Sequence, residues 1–183
     1  MKILKIIFFP ITILFWLIKK VFAKFNNVRI GAFLKDLTIT KIDTLTGEQF
    51  EDVCKLIFQF AGYNVKTTPA SNDYGADLVL NKKLTIVVQA KLYYKHGVGS
   101  HSVQEATSAI KYYNAHFACV ITNWKFTKQA QTMAGVQSVV LIDRQDVEEF
   151  LLDVKEGTKH SKIFNLEKHF KPNIFELNKQ KRT

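Results

Sequence analysis

The sequence predicts an α/β protein in which a central mixed sheet carries helices on both faces, in the order α-β-β-β-α-β-α-β-α. Three observations predict it. A stretch of helical period opens at a capping signal near residue 46. Two short apolar runs then flank a three-residue polar turn. After them, helical and strand-like runs alternate as far as residue 154. A hairpin followed by alternating segments implies a sheet that starts antiparallel and continues through crossover connections.

The elements follow in order. Thr46-Gly47-Glu48-Gln49 reads as a capping box, and Phe50, Val53, Cys54, Ile57 and Phe58 recur at helical spacing, so residues 47–60 form an amphipathic helix that Gly62 stops. Tyr63–Thr67 reads as a strand and Pro69–Gly75 as a polar loop. Ala76–Leu80 and Leu84–Leu92 are strands joined by a turn at Asn81-Lys82-Lys83. The segment from His101 to about Tyr113 is helical, with Val103, Ala106 and Ile110 on one face. Phe117–Ile121 is a buried strand, Thr127–Ala134 a helix, Ser138–Ile142 a strand and Asp146–Val154 a final helix with Asp143 at its start. Residues 25–43 read as a connector with a short strand at Leu37–Ile42. Residues 155–183 read as a basic, weakly patterned tail, with a terminal helix around Phe164–Phe170 as one reading.

The chain has 183 residues, room for one ordinary domain with extensions, and a net charge of +10. That charge is unevenly placed. Residues 1–35 carry +7 and residues 155–183 carry +5, whereas residues 36–154 carry −2. Net basicity therefore says little about nucleic-acid binding by the central domain, and lysines beside anionic lipid explain part of it equally well. Cys54 and Cys119 lie in apolar runs, which excludes a disulfide framework and a zinc site and points to two buried thiols.

The N-terminal run Ile6–Ile18 has no charge and is bracketed by Lys5 and Lys19. Extended from Ile3 to Phe22 it reaches twenty residues, enough to cross a bilayer if the flanking lysines snorkel. A cleaved signal peptide and an interfacial helix are the alternatives; the lack of a small-x-small cleavage site argues against the first. Residues 1–24 are thus expected to be a membrane anchor, inserted through residues 3–23. Two basic side chains precede the apolar run and four follow it, which places the remainder of the chain on the cytoplasmic side of an inner or plasma membrane, in a single-pass arrangement.

The chemistry concentrates in the hairpin. Asp77 stands at the start of one strand, and Gln89 and Lys91 stand two residues apart in the next, so both project from one face. A carboxylate oxygen, an amide carbonyl and backbone oxygens suit Mg²⁺, a hard ion that keeps several waters, and a nearby lysine can orient or help deprotonate an attacking water. On spacing alone the competing account is an ordinary Asp77–Lys91 salt bridge.

Further residues weigh against that bland account. The series Gly47-x-x-Phe50-Glu51, Gly62-Tyr63-x-Val65, Ser71-x-Asp73-x-Gly75-Ala76-Asp77 and Val88-Gln89-Ala90-Lys91 continues through Val103-Gln104-Glu105. Val120-Ile121-Thr122-Asn123, Phe126-Thr127, Ala130, Ala134 and Leu141-Ile142-Asp143 complete it. In this order the residues resemble the Mrr-type restriction endonucleases, a type IV-like branch of the PD-(D/E)xK nuclease superfamily.

The resemblance implies a restriction-endonuclease-like fold over residues 44–154 and Mg²⁺-dependent cleavage of DNA, with a homodimer needed to cut both strands. It also implies that Asp77 is the metal-binding acid, Gln89 the residue standing where most of the superfamily has Glu or Asp, and Lys91 the motif lysine. Glu51 matches the acidic position of the first helix and would join Asp77 and Gln89 as a metal ligand. Asp73 is the rival acid. Gln104, Lys95 and His101 are candidate DNA contacts, with solvent exposure as their ordinary explanation; Thr122 and Asn123 are equally accounted for by turn formation, and Tyr93 and Tyr94 by packing. The neutral Gln89 keeps a second reading open: a weak or silent nuclease-fold module that binds DNA or a protein at the membrane.

Overall fold

The computed structural model describes residues 26–69 and 74–170; the apolar run at 6–18, Asp73 and residues 171–183 lie outside them. Among the described residues no helix is long and apolar enough to cross a membrane.

Residues 26–36 are helical (α1), followed by α2 (Ile39–Ile42) and α3 (Gly47–Phe60). The capping box forms as the sequence predicts: the Gln49 N–H donates to Thr46 Oγ1 at 3.3 Å, and the Thr46 N–H donates to Gln49 Oε1 at 2.9 Å. Gly62, at φ +91°, turns the chain out of α3. β1 (Asn64–Thr67), β2 (Leu78–Asn81) and β3 (Thr85–Lys91) then form an antiparallel meander. Helix α4 (Ser100–Tyr112) leads to β4 (Phe117–Thr122), and α5 (Lys128–Gln137) to β5 (Val140–Ile142); α6 (Arg144–Glu156) follows. β4 pairs parallel with β3, and β5 parallel with β4, so the spatial order of the five strands is their chain order.

β3 and β4 are buried on both sides, which explains their largely apolar sequences and leaves Gln89 as the buried polar residue of β3. Ile86, Val88, Ala90, Cys119 and Ile121 face a core built with α3 and α6, whereas Val87, Ala118 and Val120 face α4 and α5. On the second face Ala106, Ala109, Ala130 and Ala134 let both helices lie close to the sheet.

Two segments differ from expectation. The strand expected at Leu37–Ile42 is instead helix α2, capped by Thr38, whose Oγ1 accepts the Lys41 N–H. Its β-branched residues favour a strand locally, yet Leu37 and Ile42 reach the core, and burial of those two side chains overrides propensity. Ile30 and Leu34 of α1 join the same core, so the presumed connector is part of the packed structure.

The second difference lies in the presumed basic tail. Residues Lys162–Lys168 form a 3-10 turn that buries Ile163 and Leu166, and Phe170 stacks on Phe117 with ring centroids 4.4 Å apart. Glu167 Oε1 accepts the N–H groups of Lys83 and Leu84, which ties this segment to the β2–β3 turn.

Candidate active site

The geometry begins with a glycine. Gly75 sits at φ +89°, and a Cβ there would fall 2.4 Å from the Glu105 carbonyl oxygen of α4, so only glycine lets the loop approach the helix. Tyr74 stacks on Tyr112 of α4, and Ser108 Oγ donates to the Tyr74 carbonyl. The loop is thus seated on α4 immediately before Asp77.

The hairpin register, Leu78 opposite Val88, then places Asp77 beside Gln89. The Asp77 N–H donates to the Val88 carbonyl at 2.8 Å. Asp77 Oδ2 accepts the Ala90 N–H at 2.6 Å and the Gln89 Nε2 amide at 2.5 Å. An ionised carboxylate only accepts, so the amide must offer Asp77 its NH₂ end, leaving the Gln89 carbonyl oxygen at the opposite end of the group. Gln89 is buried, with 4% of its surface exposed.

Lys91 pairs with an acid that spacing alone leaves out, Glu105 of α4. Its Nζ lies 3.0 Å from Oε2 of Glu105, and Glu105 Oε1 lies 3.4 Å from His101 Nε2. The motif series contains Glu105 but assigns it no role. A signal was there: Glu105 is three residues after Ser102 and four before Ala109, both buried, so the acid occupies the inward face of α4.

Glu51, Asp77, Gln89, Lys91 and Glu105 line one cleft of about 540 Å³, together with Tyr94 and the Ala90–Leu92 backbone. Glu51 and Asp77 also line a neighbouring depression with Glu48 and Asp52. Beneath the cleft, burial first, and then the charge of Asp77, push the Cys54 thiol well above its ordinary range, so it is an inert part of the core.

The donor types fit a hard divalent cation: carboxylate oxygens from Asp77 and Glu51 and the carbonyl of Gln89. Among the described residues no three Asp, Glu, His or Cys side chains converge to hold a metal by themselves. A cation here would therefore depend on water or a ligand's oxygens to complete its shell.

The rim residues are arranged by a second set of contacts. Lys95, His101 and Gln104 are exposed, as solvated residues would be, and none of them lines the cleft; His101 meets it only through Glu105. The loop that carries Lys95 is tied to the loop after β4: the Val98 N–H donates to the Lys125 carbonyl and the Thr127 N–H to the Val98 carbonyl. Thr122 and Asn123 serve the turn. Asn123 Oδ1 accepts the Tyr93 N–H, its Nδ2 donates to Asp43 Oδ1, and Arg144 Nη1 binds both Asp43 oxygens at 2.8 and 3.0 Å. Tyr94 Oη donates to the Leu45 carbonyl. These bonds clamp the C-terminal ends of β3 and β4, the edge on which the cleft opens.

Burial is the largest influence on Asp43 and raises its carboxyl, but the bonds from Arg144 and Asn123 outweigh it and hold the group below its ordinary value. A depressed carboxyl contributes stability that is fully present above its unfolded value, about 4, and is lost as pH falls through the folded one. Asp43→Asn should therefore melt below wild type at pH 7, with the gap narrowing below about pH 4. Thermal melts of the two proteins across that range check it; a gap that is constant with pH contradicts the network's role.

Residues 42–151, more than half of the chain, match the Mrr_cat family model, described as restriction endonuclease. No curated protein matches. Among solved structures, the DNA modification-dependent restriction endonuclease AspBHI aligns with a TM-score of 0.50 at 18% identity, over 75% of this chain and 38% of that one. MspJI restriction endonuclease, solved in complex with a 27-mer oligonucleotide, aligns at 0.48 and 20%, over 65% of this chain and 30% of that one. A protein of unknown function, AF1548, aligns at 0.49 and 19%, over 59% and 65%. This chain thus spans less than two thirds of the length of each of them, and the AspBHI likeness speaks to fold alone. With the family model covering the helix, hairpin and cleft just described, the chain belongs to the restriction endonuclease family.

Proposed function

We propose that this nuclease domain is a Mg²⁺-dependent DNA endonuclease held at a membrane by its N-terminal segment. The observation that carries the catalytic part is the meeting of Asp77, Gln89, Lys91 and Glu51 in one cleft at the sheet edge. Asp77, Gln89 and Glu51 would hold the cation, which when bound supplies positive charge against that developing on the phosphate. Two donors on Asp77 Oδ2, from Gln89 and Ala90, fix the carboxylate in the cleft where it would serve the cation.

Lys91, as an ammonium, donates only, and its part is to orient the attacking water and a phosphate oxygen. The water oxygen bonds to phosphorus as the bond to the leaving sugar oxygen breaks. That oxygen takes up a proton to become a hydroxyl, and the water's own proton passes to solvent. Lys95, His101 and Gln104 border the path a DNA backbone would follow. One cleft per chain cuts one strand, so cutting both strands calls for a homodimer.

A second reading is favoured by one specific observation: Gln89 spends its amide on Asp77 and brings no charge, as befits a module that binds DNA without cutting it. Cleavage of methylated and unmethylated plasmid with Mg²⁺ separates the two. Lys91→Ala should lower the rate by about 10²-fold or more, as loss of a charge that positions water and phosphate does. Full activity in that variant removes the mechanism, and salt-sensitive binding without cleavage in any divalent metal supports the second reading.

Residues 3–23 are proposed as a single-pass anchor in an inner or plasma membrane, with the nuclease domain on the cytoplasmic side. The 183-residue chain should stay with membranes through an alkaline carbonate wash, and a version lacking residues 1–24 should not. Release of the intact chain by that wash overturns the anchor.

A further inference from the structure

We propose that Glu105 is the positioning residue for Lys91, an inference that rests on the nuclease reading above. Lys91 sits at the end of β3 on a flexible four-carbon stem, and nothing in the strand itself fixes where its ammonium lies. Glu105 supplies that fix: its Oε2 is shut off from solvent and makes no hydrogen bond of ordinary geometry, yet it lies 3.0 Å from Lys91 Nζ. The carboxylate also has a neighbour on its own helix. It projects from a helix whose Ser102 and Ala109 are buried, and it stands beside the His101 ring.

The Glu105 backbone holds the second half of the site. Its carbonyl is the atom against which Gly75 packs, and Gly75 lies two residues before Asp77. A single residue of α4 thereby sets Asp77 through its main chain and Lys91 through its side chain. An ammonium carries three donors, so its pairing with Glu105 leaves capacity for water and phosphate.

The test uses the 183-residue chain and plasmid DNA with Mg²⁺, with single-turnover rates for the slowest variants. Glu105→Gln keeps the size and removes the charge; it should lower kcat on the order of 10²-fold through misplacement of Lys91, with KM within about twofold of wild type. Glu105→Asp should recover part of the loss. In a Lys91→Ala background Glu105→Gln should cost nothing further, because the two act as a unit. An unchanged kcat in Glu105→Gln, or an equal additional loss in the Lys91→Ala background, overturns the proposal.

A second readout is independent of cleavage. In ¹H–¹⁵N spectra of lysine side chains, wild type should show a Lys91 ammonium signal that Glu105→Gln abolishes. The same signal in both proteins overturns the proposal. Absence of cleavage by wild type in any divalent metal, with the signal present and lost on substitution, refutes the nuclease reading and leaves the Lys91–Glu105 pairing standing.

Discussion

Every distance in the cleft depends on the antiparallel register of the β2–β3 hairpin, with Leu78 opposite Val88. A strand's side chains alternate faces, so a slip of one residue would turn Gln89 and Lys91 toward α3 and bring Val88 and Ala90 against α4. Burial on both faces of β3 makes that slip costly, because the first face takes Ile86, Val88 and Ala90 while the second takes Val87. Asp77 adds a polar lock at the end of the ladder, where its main chain and carboxylate together bind three successive residues of β3. The candidate site and a fold-determining contact thus share the same atoms.

The rest of the molecule stabilises this edge from two sides. Helix α4 approaches the sheet through small residues and carries Glu105 to Lys91 and the Gly75 loop. On the other face α3 brings Glu51 to the same cleft, held there by a large core to which α1, α2 and the 3-10 turn contribute. Asp43, Asn123 and Arg144 bridge the loops between, so the strand ends have little freedom to separate. Rigid elements with polar cross-links hold reacting groups in place better than loops would.

How much of this could be read from the sequence varies with the range of the interaction. The capping box at Thr46, the hairpin turn and the alternation of later strands and helices are local signals, and the structure has them within a few residues of the expected bounds. Spacing alone also put Gln89 and Lys91 on one face. What was illegible is long-range. α2 is helical because Leu37 and Ile42 find a core supplied by α3 and α6, which no local pattern announces. Arg144 meets Asp43 across a hundred residues, and Glu105 meets Lys91 only because α4 folds back over β3. Spacing alone missed Glu105 for the same reason: Asp77 and Glu105 each stand fourteen residues from Lys91 in the chain, and only the fold brings Glu105 to 3.0 Å from its ammonium.

Membership of the restriction endonuclease family fixes the domain's class, and the cleft adds a particular chemical question. Asp77 is bound by a neutral amide at the point where a second carboxylate would attract a cation more strongly. Calorimetric titration of Mg²⁺ into wild type, Asp77→Asn and Gln89→Glu addresses the central claim directly. Weak binding by wild type, its loss in Asp77→Asn and a gain of about tenfold in Gln89→Glu are the predicted results, since affinity at such sites follows ligand charge. Binding that is the same in all three proteins would contradict a metal centre at Asp77.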